Sequence, residues 1–305
     1  MTPCRPPSKG AGAAGGTYKF DNGAVDYLPA SARAHGQRVA PAAPGWRHVL
    51  GKEGCVGVFD SGVGGISVLR SMAAALPHED FVFFGDSANA PYGEKSTDEV
   101  LRLSRANVER LLAGGAKAIV IACNTATSVA AARLRSDYPD LPIVGVEPAL
   151  KPATLAPKHD RILVMATPIT LKLDKFHKLA QEWGSDSTVI PAPCPGLAAR
   201  IEQGNLDAPD LTELLQRLVG QYRGKVDSVV LGCTHYPFVR RQSRSVVGDV
   251  PFFDGAEGTA RRLQSLLAKA DLLKPEDEPG SVTFETSLSK PGELDLYQWF
   301  FNQEC

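Results

Sequence analysis

From residue 55 onward, short unbroken apolar runs alternate with stretches whose apolar residues recur every three or four positions. Runs without alternation suit strands buried on both faces, and helical stretches between them imply parallel pairing, so the pattern predicts strand-helix units. The runs fall at 56–59, 81–84, 118–122, 143–146, 162–165, 189–190, 229–231 and 252–253. One helix has readable ends: Ser96 with Glu99 is a capping-box pattern, Val100, Leu103, Val108, Leu111 and Leu112 form a stripe, and Gly114 closes it. Another is predicted over 211–221, after Pro209 and Asp210. Eight strands exceed what one compact half needs. The expected fold class is therefore α/β, with two doubly wound parallel-sheet lobes and the active site in the cleft between them. The first lobe is expected from 51–148 plus 238–268 and the second from 149–237. Residues 269–305 are expected as an extension packing on a lobe, with SVTFETS as a strand and LDLYQWF as a helix.

The first fifty residues depart from this pattern. Gly, Ala and Pro dominate them and no element periodicity is read there, so 1–50 is expected to be a flexible extension that buries too little apolar surface to order itself. Six of the 33 basic residues but only two of the 34 acidic ones lie there, which leaves the remainder at −5 against −1 for the whole chain. A mildly acidic body argues against nucleic acid as a partner. The longest apolar runs, such as 118–123, fall far short of the ~18 residues of a membrane span, so no membrane association is expected. Six cysteines stand at 4, 55, 123, 194, 233 and 305 without any C-x-x-C, which disfavours a zinc ribbon or a disulfide framework.

Four strand ends carry the candidate chemistry: GVFDSGVGG (57–65), IVIACNTATS, ILVMATPIT (162–170) and VVLGCTHYP (229–237). In open parallel sheets ligands bind beyond the carboxyl ends of the strands, so a site is expected where these segments converge. Asp60-Ser61 followed by Gly62, Gly64 and Gly65 offers a carboxylate and a hydroxyl with room for close approach; it fits neither G-x-G-x-x-G nor a Walker loop, which disfavours nucleotide binding. Cys123 and Cys233 occupy matching positions after their strands, each followed by hydrogen-bonding side chains. Either alone reads as packing, since Cys behaves as a small hydrophobe. As a pair they suggest a reactive role. A metal site lacks further ligands, and a redox pair would ordinarily use C-x-x-C. General acid–base catalysis remains beside these, with one thiolate removing a proton and one thiol returning a proton from the opposite side.

The ordered set FDSGVGG (59–65), GDSANAPYGEKS (85–96), ACNTATS (122–128), VGVEPALKPA (144–153), CPGL (194–197) and GCTHYPF (232–238) resembles the glutamate racemases of the aspartate/glutamate racemase superfamily. The resemblance spans about 55–268. It implies a racemase that needs no cofactor and no metal, interconverts L- and D-glutamate in the cytoplasm, and supplies D-glutamate for peptidoglycan. By the same resemblance Cys123 and Cys233 are the catalytic proton donor and acceptor, Asp60 assists Cys123, and His235 assists Cys233. Substrate contacts are implied for Asp60, Ser61, Tyr92, Gly93, Asn124, Thr125, Thr234 and His235, and Glu147 is an auxiliary candidate for orienting His235. The implied partner is the small-molecule substrate, with a homodimer as the expected assembly. Two other readings stand beside this one: racemisation of aspartate, and a member that binds an amino acid without turning it over. Cys194 is expected to be a packing residue. TPITL (167–171) and FFDGAEG (252–258) depart from the usual pattern of the relatives.

Overall fold

The computed structural model describes residues 16–21, 24–29, 51–184, 186–277 and 279–303. Its strands are β1 (Gly16–Asp21), β2 (Ala24–Pro29), β3 (Cys55–Asp60), β4 (Phe81–Gly85), β5 (Ala116–Ile121), β6 (Ile143–Gly145), β7 (Arg161–Ala166), β8 (Thr188–Pro193), β9 (Ser228–Leu231), β10 (Phe252–Asp254) and β11 (Ser281–Thr286). They form two sheets, ordered β2-β1-β11-β4-β3-β5-β6 and β10-β9-β7-β8. From β11 to β6 the first sheet is parallel, and the second is parallel throughout. The expected α/β architecture with two parallel sheets is therefore what the chain adopts. Every predicted apolar run is a strand, and β5 shows why the pattern was readable: all six of its residues are buried.

Helices cover both sheets: α1 (Ile66–Ala75), α2 (Thr97–Ala113), α3 (Asn124–Asp137), α4 (Leu150–Thr154), α5 (Pro168–Lys172), α6 (Asp174–Trp183), α7 (Leu197–Glu202), α8 (Pro209–Val219), α9 (Arg240–Val247), α10 (Ala256–Lys269) and α11 (Glu293–Phe301). Helix α2 begins as its sequence predicts, with the Ser96 hydroxyl accepting the Glu99 amide at 3.2 Å, and ends at Gly114. The Glu99 side chain turns to Lys95 at 3.1 Å. Among the described residues no helix is long and apolar enough to cross a membrane.

Two boundaries differ from expectation. Residues 238–268 were assigned to the first lobe, but their strand β10 pairs in parallel with β9 and belongs to the second sheet. Helix α10 returns to pack on α1, so this segment passes between the lobes. Within the supposedly unstructured 1–50, β1 and β2 pair antiparallel and β1 continues onto β11. Their sequence holds the signal: Asn22-Gly23 stands between YKFD and AVDYL, the strongest short hairpin pattern. The rest of 1–50, with Cys4, His35 and His48, lies outside the described residues.

The C-terminal segment completes the first lobe. Strand β11 pairs in parallel with β4, and Tyr297 and Phe284 both pack edge-on against Phe83, at ring distances of 5.7 and 6.0 Å. A buried ion pair ties the bottom of the same sheet together. Lys117 on β5 is fully buried and lies 2.7 Å from Glu79. Its ammonium also donates to Lys52 O at 2.6 Å, while Glu79 accepts the Lys274 amide at 2.8 Å. A buried charge needs such partners, because desolvation alone costs several kcal/mol per ion.

Candidate active site

All four strand-end segments meet in one place. Ser61 follows β3, Cys123 follows β5, Thr167 follows β7 and Cys233 follows β9, and all four line a single cavity of about 20 Å³ with Tyr92, Gly93, Asn124, Thr125, Thr234 and His235. That volume holds about one water molecule. A larger cavity of about 1060 Å³ lies elsewhere, bounded by Lys151, Arg240, Phe252 and Arg262, and contains neither cysteine.

Asp60, the last residue of β3, is fully buried. Oδ1 accepts the Ser61 amide at 2.6 Å and Oδ2 accepts the Gly65 amide, so the loop after the strand wraps its own carboxylate. Oδ2 also accepts the Thr234 hydroxyl at 3.2 Å, a contact from the second lobe. Burial raises the Asp60 carboxyl above the ordinary range, although the His235 charge pulls the other way.

Cys123 caps helix α3. Its extended backbone and small side chain let Sγ accept the Ala126 amide at 3.5 Å, and its thiol faces Ser61 Oγ at 3.8 Å. Burial, followed by the nearby Asp60 carboxylate, pushes the thiol well above its ordinary value, against the pull of the Ala126 amide. In this arrangement Cys123 rests as a thiol and is a strong base once deprotonated.

Cys233 has a different environment. Sγ lies 3.6 Å from His235 Nδ1, and His235 Nε2 lies 2.6 Å from Glu202 Oε1. Because a carboxylate only accepts, Nε2 carries a proton, which leaves Nδ1 to accept S–H or, when protonated, to donate to a thiolate. Burial pulls the imidazole pKa down, but the Cys233 and Glu202 contacts outweigh it and hold His235 well above its ordinary value. Glu202 Oε1 is itself fixed by the Val63 amide at 3.0 Å. The glycines of the first-lobe loop make this meeting possible: a Cβ on Gly62 would sit 1.9 Å from Glu202 Oε1, and one on Gly64 2.3 Å from His235 Nδ1.

The remaining residues form the walls. Tyr92 is buried, donates to Asp86 Oδ2 at 2.6 Å and accepts Asn107 Nδ2 at 3.0 Å. Thr125 Oγ1 lies 3.2 Å from Thr167 Oγ1, a polar contact between the lobes. Glu147 is the candidate that does not arrive: it is exposed, pairs with Lys175 at 2.8 Å and is absent from the cavity lining. Glu202, the carboxylate that does meet His235, has no motif around it beyond the helix that follows CPGL. Cys194 is buried, with its thiol donating to Ala192 O at 3.4 Å.

A family model described as Asp/Glu/Hydantoin racemase matches residues 56–263. The chain is 45% identical over 246 residues to a glutamate racemase of Clostridium acetobutylicum, covering 80% of this chain and 96% of that one. It is 47% identical over 241 residues to a glutamate racemase of Clostridium novyi, covering 78% and 93%. Among solved structures, glutamate racemase from Francisella tularensis in complex with D-glutamate superposes with a TM-score of 0.72 at 26% identity, covering 83% of this chain and 95% of that one.

Proposed function

Because the chain belongs to the Asp/Glu/hydantoin racemase family, we propose that it is a glutamate racemase that interconverts L- and D-glutamate with two cysteines and no cofactor. The observation that carries the two-base reading is that Cys123 and Cys233, one from each sheet, line the same cavity. Relatives named glutamate racemase, matched over nearly their whole length, support the substrate.

The chemistry follows from that placement. One cysteine, as thiolate, takes the α-proton from one face of the amino acid; the Cα–H bond breaks and its electron pair is left at Cα. The opposite thiol then gives up its proton to Cα, so the stereocentre inverts and the two sulfurs exchange protonation states. On the Cys233 side, charged His235 stabilises negative sulfur, and it can hold a proton between turnovers. On the Cys123 side, a substrate ammonium beside Asp60 offsets the carboxylate charge that otherwise disfavours the thiolate. Ser61, Asn124, Thr125 and Thr234 offer donors for the substrate carboxylates. At about 20 Å³ the cavity is smaller than an amino acid, so the site must widen to admit substrate. The proposed product, D-glutamate, would serve peptidoglycan synthesis in the cytoplasm.

The test is to incubate the protein with L-glutamate in deuterated water, without pyridoxal phosphate or added metal. Loss of optical activity with one solvent deuterium at Cα is expected. Absence of exchange from either enantiomer would refute the proposal, and faster turnover of aspartate would reassign the substrate.

A further inference from the structure

We propose that the C-terminal helix α11 clamps the substrate-facing loop 85–93, making Tyr297 a positioning residue for glutamate binding; the substrate part of this rests on the racemase reading above. The loop leaves β4 at Gly85 and reaches the cavity at Pro91, Tyr92 and Gly93. Its root is held from two directions. On one side, the Asp86 amide donates to Asp60 O at 2.9 Å, and the Asp86 carboxylate accepts the Tyr92 hydroxyl at 2.6 Å. On the other side stands the C-terminal segment.

Three contacts make up the clamp. Ser87 Oγ lies 2.6 Å from the Tyr297 hydroxyl, which donates onward to Thr286 Oγ1 at 3.2 Å. The Ala88 amide donates to Ser287 Oγ at 3.0 Å, and the Ser287 amide donates back to Gly85 O at 3.0 Å. The fit is close, since a Cβ on Gly85 would fall 1.9 Å from the Tyr297 hydroxyl.

This arrangement separates positioning from packing. The Tyr297 ring is fully buried against Phe83 and Phe284, so Tyr297→Phe keeps the apolar contacts and removes only the hydroxyl that meets Ser87. A loop wall that loses its anchor weakens ground-state contacts with substrate, whereas the two sulfurs and His235 stay in place. The change should therefore appear in KM and spare kcat.

The experiment compares wild type, Tyr297→Phe, Ser87→Ala and the double variant, with Leu296→Ala as a control that disturbs the same helix without touching the loop. Loss of one hydrogen bond predicts a KM for glutamate raised roughly 3- to 10-fold with kcat within about 2-fold. The double variant should rise no further than Ser87→Ala alone. Amide hydrogen exchange over residues 88–93 should be faster in Tyr297→Phe than in wild type and unchanged in Leu296→Ala. Unchanged KM together with unchanged exchange in Tyr297→Phe would overturn the proposal, as would an equal effect of Leu296→Ala. If wild type itself fails to racemise glutamate, the racemase reading falls, and the hydrogen-exchange comparison alone decides whether the clamp exists.

Discussion

Gly64→Ala tests the Cys233–His235 pair without touching either residue. The Gly64 backbone lies outside the left-handed region, so an alanine is conformationally acceptable and its effect is contact alone. The added Cβ would stand 2.3 Å from His235 Nδ1 and 2.6 Å from Cε1, whereas ordinary contact begins near 3.4 Å, so the ring must recede by about 1.1 Å. A ring displaced that far cannot keep both its 3.6 Å approach to Cys233 and its 2.6 Å bond to Glu202. The charge-assisted bond is worth about 1.5–3 kcal/mol, and a misplacement near 1 Å at a reacting group can reduce rate by about 10²-fold. We expect kcat to fall by about that factor, read by circular dichroism from each enantiomer. Because the enantiomers have equal free energy, kcat/KM must fall equally in both directions. Gly258→Ala is the matched control: its Cβ meets nothing within 4 Å on α10, and replacing a helical glycine should stabilise by about 0.4–1 kcal/mol. A Gly64→Ala enzyme with kcat within 3-fold of wild type and an intact fold would refute the role given to His235.

Three further outcomes follow from the same contacts. Cys123→Ala and Cys233→Ala should each abolish racemisation with melting temperatures near that of wild type; full activity in either would end the two-base reading. Glu202→Gln should lower kcat about 10- to 100-fold by releasing His235. It should also change stability with pH in a defined sense: burial opposes the charged imidazole, but the Cys233 and Glu202 contacts raise its folded pKa. Their stabilisation is present in full below the ordinary value of about 6.5 and is lost as pH rises through the folded value. The melting-temperature gap between wild type and Glu202→Gln should thus be widest near pH 6 and close in alkaline solution. Lys117→Met leaves Glu79 buried without its cation and should destabilise by about 3–5 kcal/mol in urea, with Lys117→Met/Glu79→Gln recovering much of the loss and kcat unchanged.

What the sequence disclosed divides along a physical line. A strand buried on both faces is apolar except where a buried partner holds a charge, as Glu79 holds Lys117 on β5, and the residue that follows it sits at the sheet's carboxyl edge. Runs such as 118–122 and 229–231 therefore disclosed where Cys123 and Cys233 would stand, and the ordered motifs resembled the family to which the chain belongs. Lateral pairing has no comparable signature. The pattern of Phe252-Phe253 is the same whether it extends the first sheet or the second, and only the path of the chain puts β10 beside β9. The first hairpin is a different case, since Asn22-Gly23 was a readable signal obscured by the Gly-, Ala- and Pro-rich composition around it.

Glu147 and Glu202 show where motif reading stops. Glu147 lies within a family segment just beyond β6, the edge strand of the first sheet, where a carboxylate can turn outward to Lys175. Glu202 lies at the end of a six-residue helix and meets His235 across 33 positions of sequence. What brings it there is the close approach of the Gly62–Gly64 loop, whose missing side chains leave room for both the carboxylate and the imidazole. The sequence carried that information as two glycines in a loop that resembled a ligand cradle. Their close contacts are with Glu202 and His235 from the second lobe, so the same loop that wraps Asp60 also sets the distance between His235 and its carboxylate.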